Sequence, residues 1–174
     1  MDNSGRYSGL AILNHWLTAI MVLVMLALGL AANNAPSEAV EGYVLGIHIS
    51  LGFFVLWFVI WRLAFRLYSG FPALLPASRY QRWLAYLSHR LLLIVLTLQV
   101  LTGPLYLFTE GEGMNVFGWF TFYVPLAGLS AIHEPVEWLH VMVGLYVLPS
   151  LILLHFAGGV KHYLTEPHAG GEVK

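Results

Sequence analysis

Two histidines, His140 and His155, stand fifteen residues apart in an apolar run from Trp138 to Phe156. Ionisable groups inside such a run are costly in lipid unless they find a partner. On a helix, fifteen steps of about 100° bring His155 to within about 60° of His140, and a rise of about 1.5 Å per residue separates them by about 22 Å. One helix can therefore present two stacked metal sites, one toward each membrane surface. Haem iron accepts histidine as an axial ligand, and a bis-histidine site at each level needs a second imidazole from another helix at matching depth. Zinc is a poorer match, because two buried imidazoles lack the third and fourth ligands it normally takes. A lone intramembrane histidine can also serve simply as a hydrogen-bond partner for a backbone carbonyl, so the case rests on finding pairs.

The elements that must position these residues follow from composition. With 59% hydrophobic and 10% charged residues among 174 and a mean hydropathy of +0.74, the chain departs from soluble domains, in which about 25% of residues are charged. It reads as an all-α, four-transmembrane-helix bundle forming a single membrane-embedded domain over residues 1–174, with spans at about 10–32, 43–67, 83–108 and 138–163. A cleaved signal peptide ending near Ala32 is disfavoured, because the apolar run from Leu10 exceeds the roughly 7 to 15 residues of such a core. The absence of cysteine excludes thiolate ligation, iron-sulfur clusters and covalent haem attachment through C-x-x-C-H. Any haem is therefore b-type.

Charge sets the orientation. Arg6, Arg62, Arg66, Arg79, Arg82, Arg90, Lys161 and Lys174 all fall on one side of a four-span chain, whereas the two opposite loops carry only Glu38, Glu41, Glu110, Glu112, Glu134 and Glu137. The positive-inside rule puts both termini in the cytoplasm. His15 and His155 then lie near the cytoplasmic ends of spans one and four, and His48 and His140 near the outer ends of spans two and four. The expected pairs are His15 with His155 and His48 with His140. Ala19, Gly52, Gly144 and Gly159 follow these four at a spacing of one turn, where a small side chain leaves room for a porphyrin against the helix. His133, beside Glu134 in a connecting loop, and His168 in the tail read as solvated. The aromatic stretch from Val116 to Pro125 suits the membrane interface, and its Trp119 is expected to roof the outer site.

Together these segments resemble the bacterial cytochrome b561 family. The resemblance rests on Arg6 and Tyr7 followed by Asn14, His15, Trp16 and Leu17, on Ile47 to Gly52 with the Trp61, Arg62, Leu63 exit, on the His89 segment, and on Leu154, His155, Lys161, His162 and Tyr163. It covers nearly the whole chain. It implies a four-helix bundle of the bacterial inner membrane with two b haems, whose axial ligands would be His15, His48, His140 and His155. It also implies superoxide oxidation at the outer face with ubiquinone as electron acceptor. The family's two ligands on the fourth helix usually lie fourteen residues apart. The extra residue here calls for a kink at Pro149 or a π-bulge.

At the cytoplasmic end His162 falls two turns beyond His155, with Lys161 beside it and His89 and Arg90 arriving from span three. Quinone carbonyls need donors and haem propionates need cations. His162, and secondly His89, are therefore candidates for a quinone site, and Arg90 or Lys161 for propionate partners. No nucleotide or flavin motif is visible and no nucleic-acid partner is expected. Three function classes remain: a superoxide:quinone oxidoreductase, an electron-transfer cytochrome b subunit docked to a dehydrogenase or hydrogenase, and a non-redox channel with structural histidines.

Overall fold

The structure is a computed structural model and describes residues 9–69 and 79–165, without the side chains of residues 69, 162 and 165. Three long helices come first: α1 (Gly9–Asn33), α2 (Glu38–Ser69) and α3 (Arg79–Glu110). A short antiparallel hairpin, β1 (Met114–Val116) and β2 (Phe120–Phe122), follows. The last span is composite: a 3-10 turn (Ala127–Ile132), α4 (His133–Met142), a π-helical segment (Val143–Val147) and α5 (Leu148–Thr165). All four spans are long and apolar enough to cross a bilayer. Each helix packs on its neighbour in chain order and α1 returns to the π segment, which closes the bundle.

The helices run past the expected span ends for local reasons. Asn34 Nδ2 donates to the Leu30 carbonyl (2.8 Å) at the end of α1, and the Val40 N–H reaches the Ser37 hydroxyl (3.4 Å) at the start of α2. Glu38 and Glu41, expected in a loop, occupy the first turn of α2, where carboxylates complement the helix dipole. The fourth span starts at His133 rather than near Trp138, because Pro135 is tolerated in a first turn. His133 is therefore helical, not a loop residue.

Large apolar side chains cover the outside of the spans, as lipid requires. Inside, Val22, Val55, Val59, Leu96 and Leu148 form a buried cluster, with Met21, Met25, Leu92, Val95, Val100 and Ile152 packed against it. By position along their helices these residues lie midway between the two expected histidine levels. A buried aliphatic layer thus separates the two ends of the bundle.

The aromatic stretch folds as the hairpin. Phe117 and Gly118 have φ of 51° and 73°, and Trp119 N–H closes on the Val116 carbonyl at 2.9 Å, the geometry of a type I′ turn. Its inner side is anchored on α2, where the Ser50 hydroxyl accepts from Phe117 N–H (3.0 Å) and donates to Gly46 O (2.7 Å) or Asn115 O (3.0 Å). Phe53 packs edge-on against Phe120 and Phe122. Trp119 is 74% exposed, so it does not roof the interior. Phe122 faces inward, between Phe53 and Phe108.

Candidate functional site

At the acidic end, expected to face outward, His48 from α2 and His140 from α4 face each other with ring centres 6.3 Å apart. At the basic end, expected to face inward, His15 from α1 and His155 from α5 face each other at 6.1 Å. An imidazole nitrogen binds a metal at about 2 Å and lies about 1.1 Å from its ring centre, so two axial imidazoles across one iron put their ring centres about 6 Å apart. Both pairs meet that spacing. Among the described residues there is no cluster of three or more metal-ligating side chains arranged to hold a bare ion. The donor set therefore fits a metal that arrives with its own equatorial ligands. His89 from α3 also reaches His155, at 5.1 Å, closer than a bridging metal requires. It stands as a neighbour to the inner pair.

The fourth span delivers both His140 and His155 because of its π segment. The Leu148 N–H bonds the Val143 carbonyl, an i to i+5 bond that absorbs one residue without advancing the helix. Fifteen residues then cover the path of fourteen, and the offset between the two histidines falls from about 60° to about 40° in the opposite sense. Gln99 from α3 donates its amide to the His140 carbonyl at 2.9 Å. Gly144 permits this, since a Cβ there would stand 2.8 Å from Gln99 Nε2.

Hydrogen bonds fix how the outer ring is presented. Thr102 is 5% exposed, and its hydroxyl donates within α3 to the Leu98 carbonyl at 2.9 Å or the Gln99 carbonyl at 3.2 Å. With its hydrogen on either of these carbonyls, its oxygen accepts from His140 Nδ1–H, 3.1 Å away. That leaves the proton on Nδ1 and a lone pair on Nε2, the tautomer a metal ligand needs. His48 Nδ1 is buried without a hydrogen-bond partner.

Small residues stand opposite these rings, at positions that the spacing rule did not identify. A Cβ at Gly103 would meet His140 Cε1 at 3.0 Å, and one at Gly29 would meet His48 Cε1 at 3.6 Å. Both glycines lie on the helix opposite the ligand, out of reach of a rule that looks along one helix. Of the residues expected from sequence, Gly52 faces Met25 Cε at 3.4 Å, Gly144 faces Gln99, and Gly159 faces open space. Ala19 is half-buried.

Arg90 lies over the Tyr86 ring at 4.1 Å, and Lys161 is exposed. The His162 side chain and all of His168 lie outside the described residues. Arg62, which as a residue near a span end is free to snorkel toward the interface, instead turns inward: its Nη1 donates to Asn14 O (3.0 Å), Asn14 Oδ1 and Thr18 Oγ1 (2.9 Å) on α1. His133 is not simply solvated. Its Nδ1 lies 3.2 Å from the Thr109 hydroxyl, its ring stacks on Tyr106 at 5.1 Å, and Tyr106 donates to Glu137 at 3.2 Å. An open recess of about 520 Å³ lined by Thr109, Glu110, Ser130, His133 and Glu134 lies beside it.

An apolar four-helix bundle with facing imidazole pairs and no thiol is the architecture of a membrane b-type cytochrome. The chain belongs to the prokaryotic cytochrome b561 family, whose profile matches residues 6–168. Membership implies haem b and a role in electron transfer in a multi-pass bacterial membrane protein. No curated protein matches the chain.

Proposed function

We propose that this single-domain cytochrome carries electrons one at a time across the bacterial inner membrane, from superoxide at the outer face to ubiquinone at the cytoplasmic face, with both termini in the cytoplasm. The observation that carries this reading is the presence of two facing histidine pairs, at 6.1 and 6.3 Å, on opposite sides of the aliphatic layer. His48 and His140 would hold the outer haem and His15 and His155 the inner one. When bound, the haems would supply reversible one-electron chemistry. The protein's own work is to hold imidazole lone pairs at fixed separation and to keep water out between them. Thr102 does the first for His140, and the Val22, Val55, Val59, Leu96 and Leu148 cluster does the second. His162 and His89 are the proposed donors to the quinone carbonyls, with Arg90 and Lys161 as proposed propionate partners.

A second reading has a specific observation in its favour. The outer loops carry acids and no Lys or Arg, a surface that repels an anion and suits a basic protein docked there as electron donor. In that case the chain is the cytochrome b subunit of a dehydrogenase or hydrogenase. Rapid mixing of superoxide with the oxidised, haem-loaded protein and ubiquinone separates the two. Haem reduction and quinol formation faster than spontaneous dismutation support the first reading. Haems that stay oxidised under superoxide yet reduce with a co-purified dehydrogenase establish the second.

A further inference from the structure

The inner end of the bundle holds a cation whose charge nothing described neutralises. Arg62 sits between α1 and α2, and its three hydrogen bonds, all from Nη1, go to uncharged acceptors on Asn14 and Thr18. Every carboxylate among the described residues belongs to the acidic outer end. Thr18 cannot take a second role as donor outward, since its hydroxyl is bonded to the Asn14 carbonyl at 2.7 Å. Beside the guanidinium, the Asn14 side chain is 8% exposed, and its Nδ2 has no hydrogen-bond partner. A buried amide donor without a partner is expensive, and so is a half-buried cation without a counter-charge. Their remaining N–H groups describe a missing acceptor with at least two oxygens and a negative charge, for which the guanidinium fork is shaped.

The place of this site along the bundle says which anion. Asn14 immediately precedes His15 in α1 and Arg62 bonds the Asn14 carbonyl, so the donors lie at the level of the inner histidine pair. A carboxylate and a phosphate share the required chemistry, and both are at hand in a membrane cytochrome, one on haem and one on lipid. The donors lie inside the α1–α2 contact and their neighbour is a candidate ligand, which favours the haem side. We propose that Arg62 and Asn14 together bind a propionate carboxylate of the inner haem, a role that rests on the assignment of a haem to His15 and His155. Arg62 then raises that haem's midpoint potential, because a fixed cation stabilises the less positive, reduced state. Thr18 is a positioning residue that holds the guanidinium in place.

The test uses the full-length, haem-loaded protein as wild type, Arg62→Gln, Arg62→Lys and Asn14→Leu. Each is titrated potentiometrically in uncharged detergent and in phosphatidylglycerol vesicles, with resonance Raman recording the propionate bending modes. Arg62→Gln is expected to lower one midpoint and leave the other in place, with at least a tenfold change in the oxidised-to-reduced ratio at fixed ambient potential, or 59 mV for one electron. The shift is the same in both media, and a propionate mode moves with it. Arg62→Lys recovers the midpoint but not the mode. Asn14→Leu keeps the cation and moves the mode with less than a tenfold change in ratio, which keeps the test decisive if Arg62→Gln folds poorly. An unmoved propionate mode in all three variants, or equal displacement of both midpoints, overturns the proposal. A shift confined to the phosphatidylglycerol vesicles overturns it in favour of lipid phosphate. Wild-type protein without an inner haem would instead overturn the ligand assignment on which the proposal rests.

Discussion

Thr102→Val isolates one hydrogen bond at the outer histidine. The substitution keeps the branched shape of a residue that is 5% exposed and removes only its oxygen. The His140 Nδ1–H, 3.1 Å from that oxygen, is left without its acceptor, and the ring is free to turn or to move its proton to Nε2. Stranding a buried donor costs about 1–3 kcal/mol, which at about 1.4 kcal/mol per tenfold is a loss of roughly 5- to 140-fold in affinity. Loss of a partner behind a ligating histidine typically costs about 10- to 100-fold in metal affinity, in the same range. Haem titration of the purified apoprotein, read by optical and EPR spectra, should show the outer haem binding more weakly. The inner haem, about 21 Å away along the fourth span, should bind as in wild type. Thr102→Ser should restore the outer site. Unchanged affinity and potential of both haems in Thr102→Val would refute the tautomer argument, and selective weakening of the inner haem would refute the pairing.

Further predictions concern stoichiometry, the quinone end and the approach of the donor. A haem assay should give two haems per chain, His155→Ala and His140→Ala should each lose one, and His133→Ala should keep both; loss of the outer haem in His133→Ala would show the register of the fourth span to be wrong. His162→Ala should slow quinone reduction while both haem spectra persist, and unchanged quinone kinetics would remove His162 from the site. Superoxide oxidation should accelerate between low and physiological ionic strength, because screening weakens repulsion by the acidic outer loops; a rate that falls with salt would mean attraction instead.

The histidine pairing was legible because it follows from depth, and depth follows from hydropathy and the one-sided placement of basic residues. Features set by a second helix were not. Nothing in Val143–Val147 marks a π segment, and the fifteen-residue spacing called for a kink at Pro149 or a π-bulge without choosing between them. A side chain at Gly103 on α3 would meet His140 and one at Gly29 on α1 would meet His48, constraints that no pattern along the ligand's own helix reports. Arg62 near a span end has two options, snorkelling outward or turning in, and the choice depends on Asn14 and Thr18 sitting opposite on α1. His133 beside Glu134 reads as a loop residue until the first turn of α4 brings it against Tyr106. The hairpin was obscured by its composition, since an aromatic-rich stretch suits an interface and a strand equally, and only the positive φ at Phe117 and Gly118 separates them.

The distribution of charge bears on which way electrons run. With the acids at one end and the bases at the other, the protein's own field distinguishes two sites whose axial ligands are alike. A unit charge about 10 Å from a site, at an effective dielectric of about 20, is worth about 1.7 kcal/mol. Arg62 is half-buried between α1 and α2 and is screened less than the outer glutamates, which are mostly exposed and act weakly through solvent. Both signs work in the same sense: cations favour an added electron at the inner end, and acids disfavour it at the outer end. In the proposed direction, an electron given up at the outer face would move downhill toward the end where His89 and His155 lie. The same acids that bias this transfer also repel an anionic donor, so the outer surface gains driving force at the expense of encounter rate. A neutral or basic donor would avoid that conflict. The sign of the ionic-strength dependence separates the three: a rate that rises with salt marks an anionic donor, one that falls a basic donor, and one that stays flat a neutral donor.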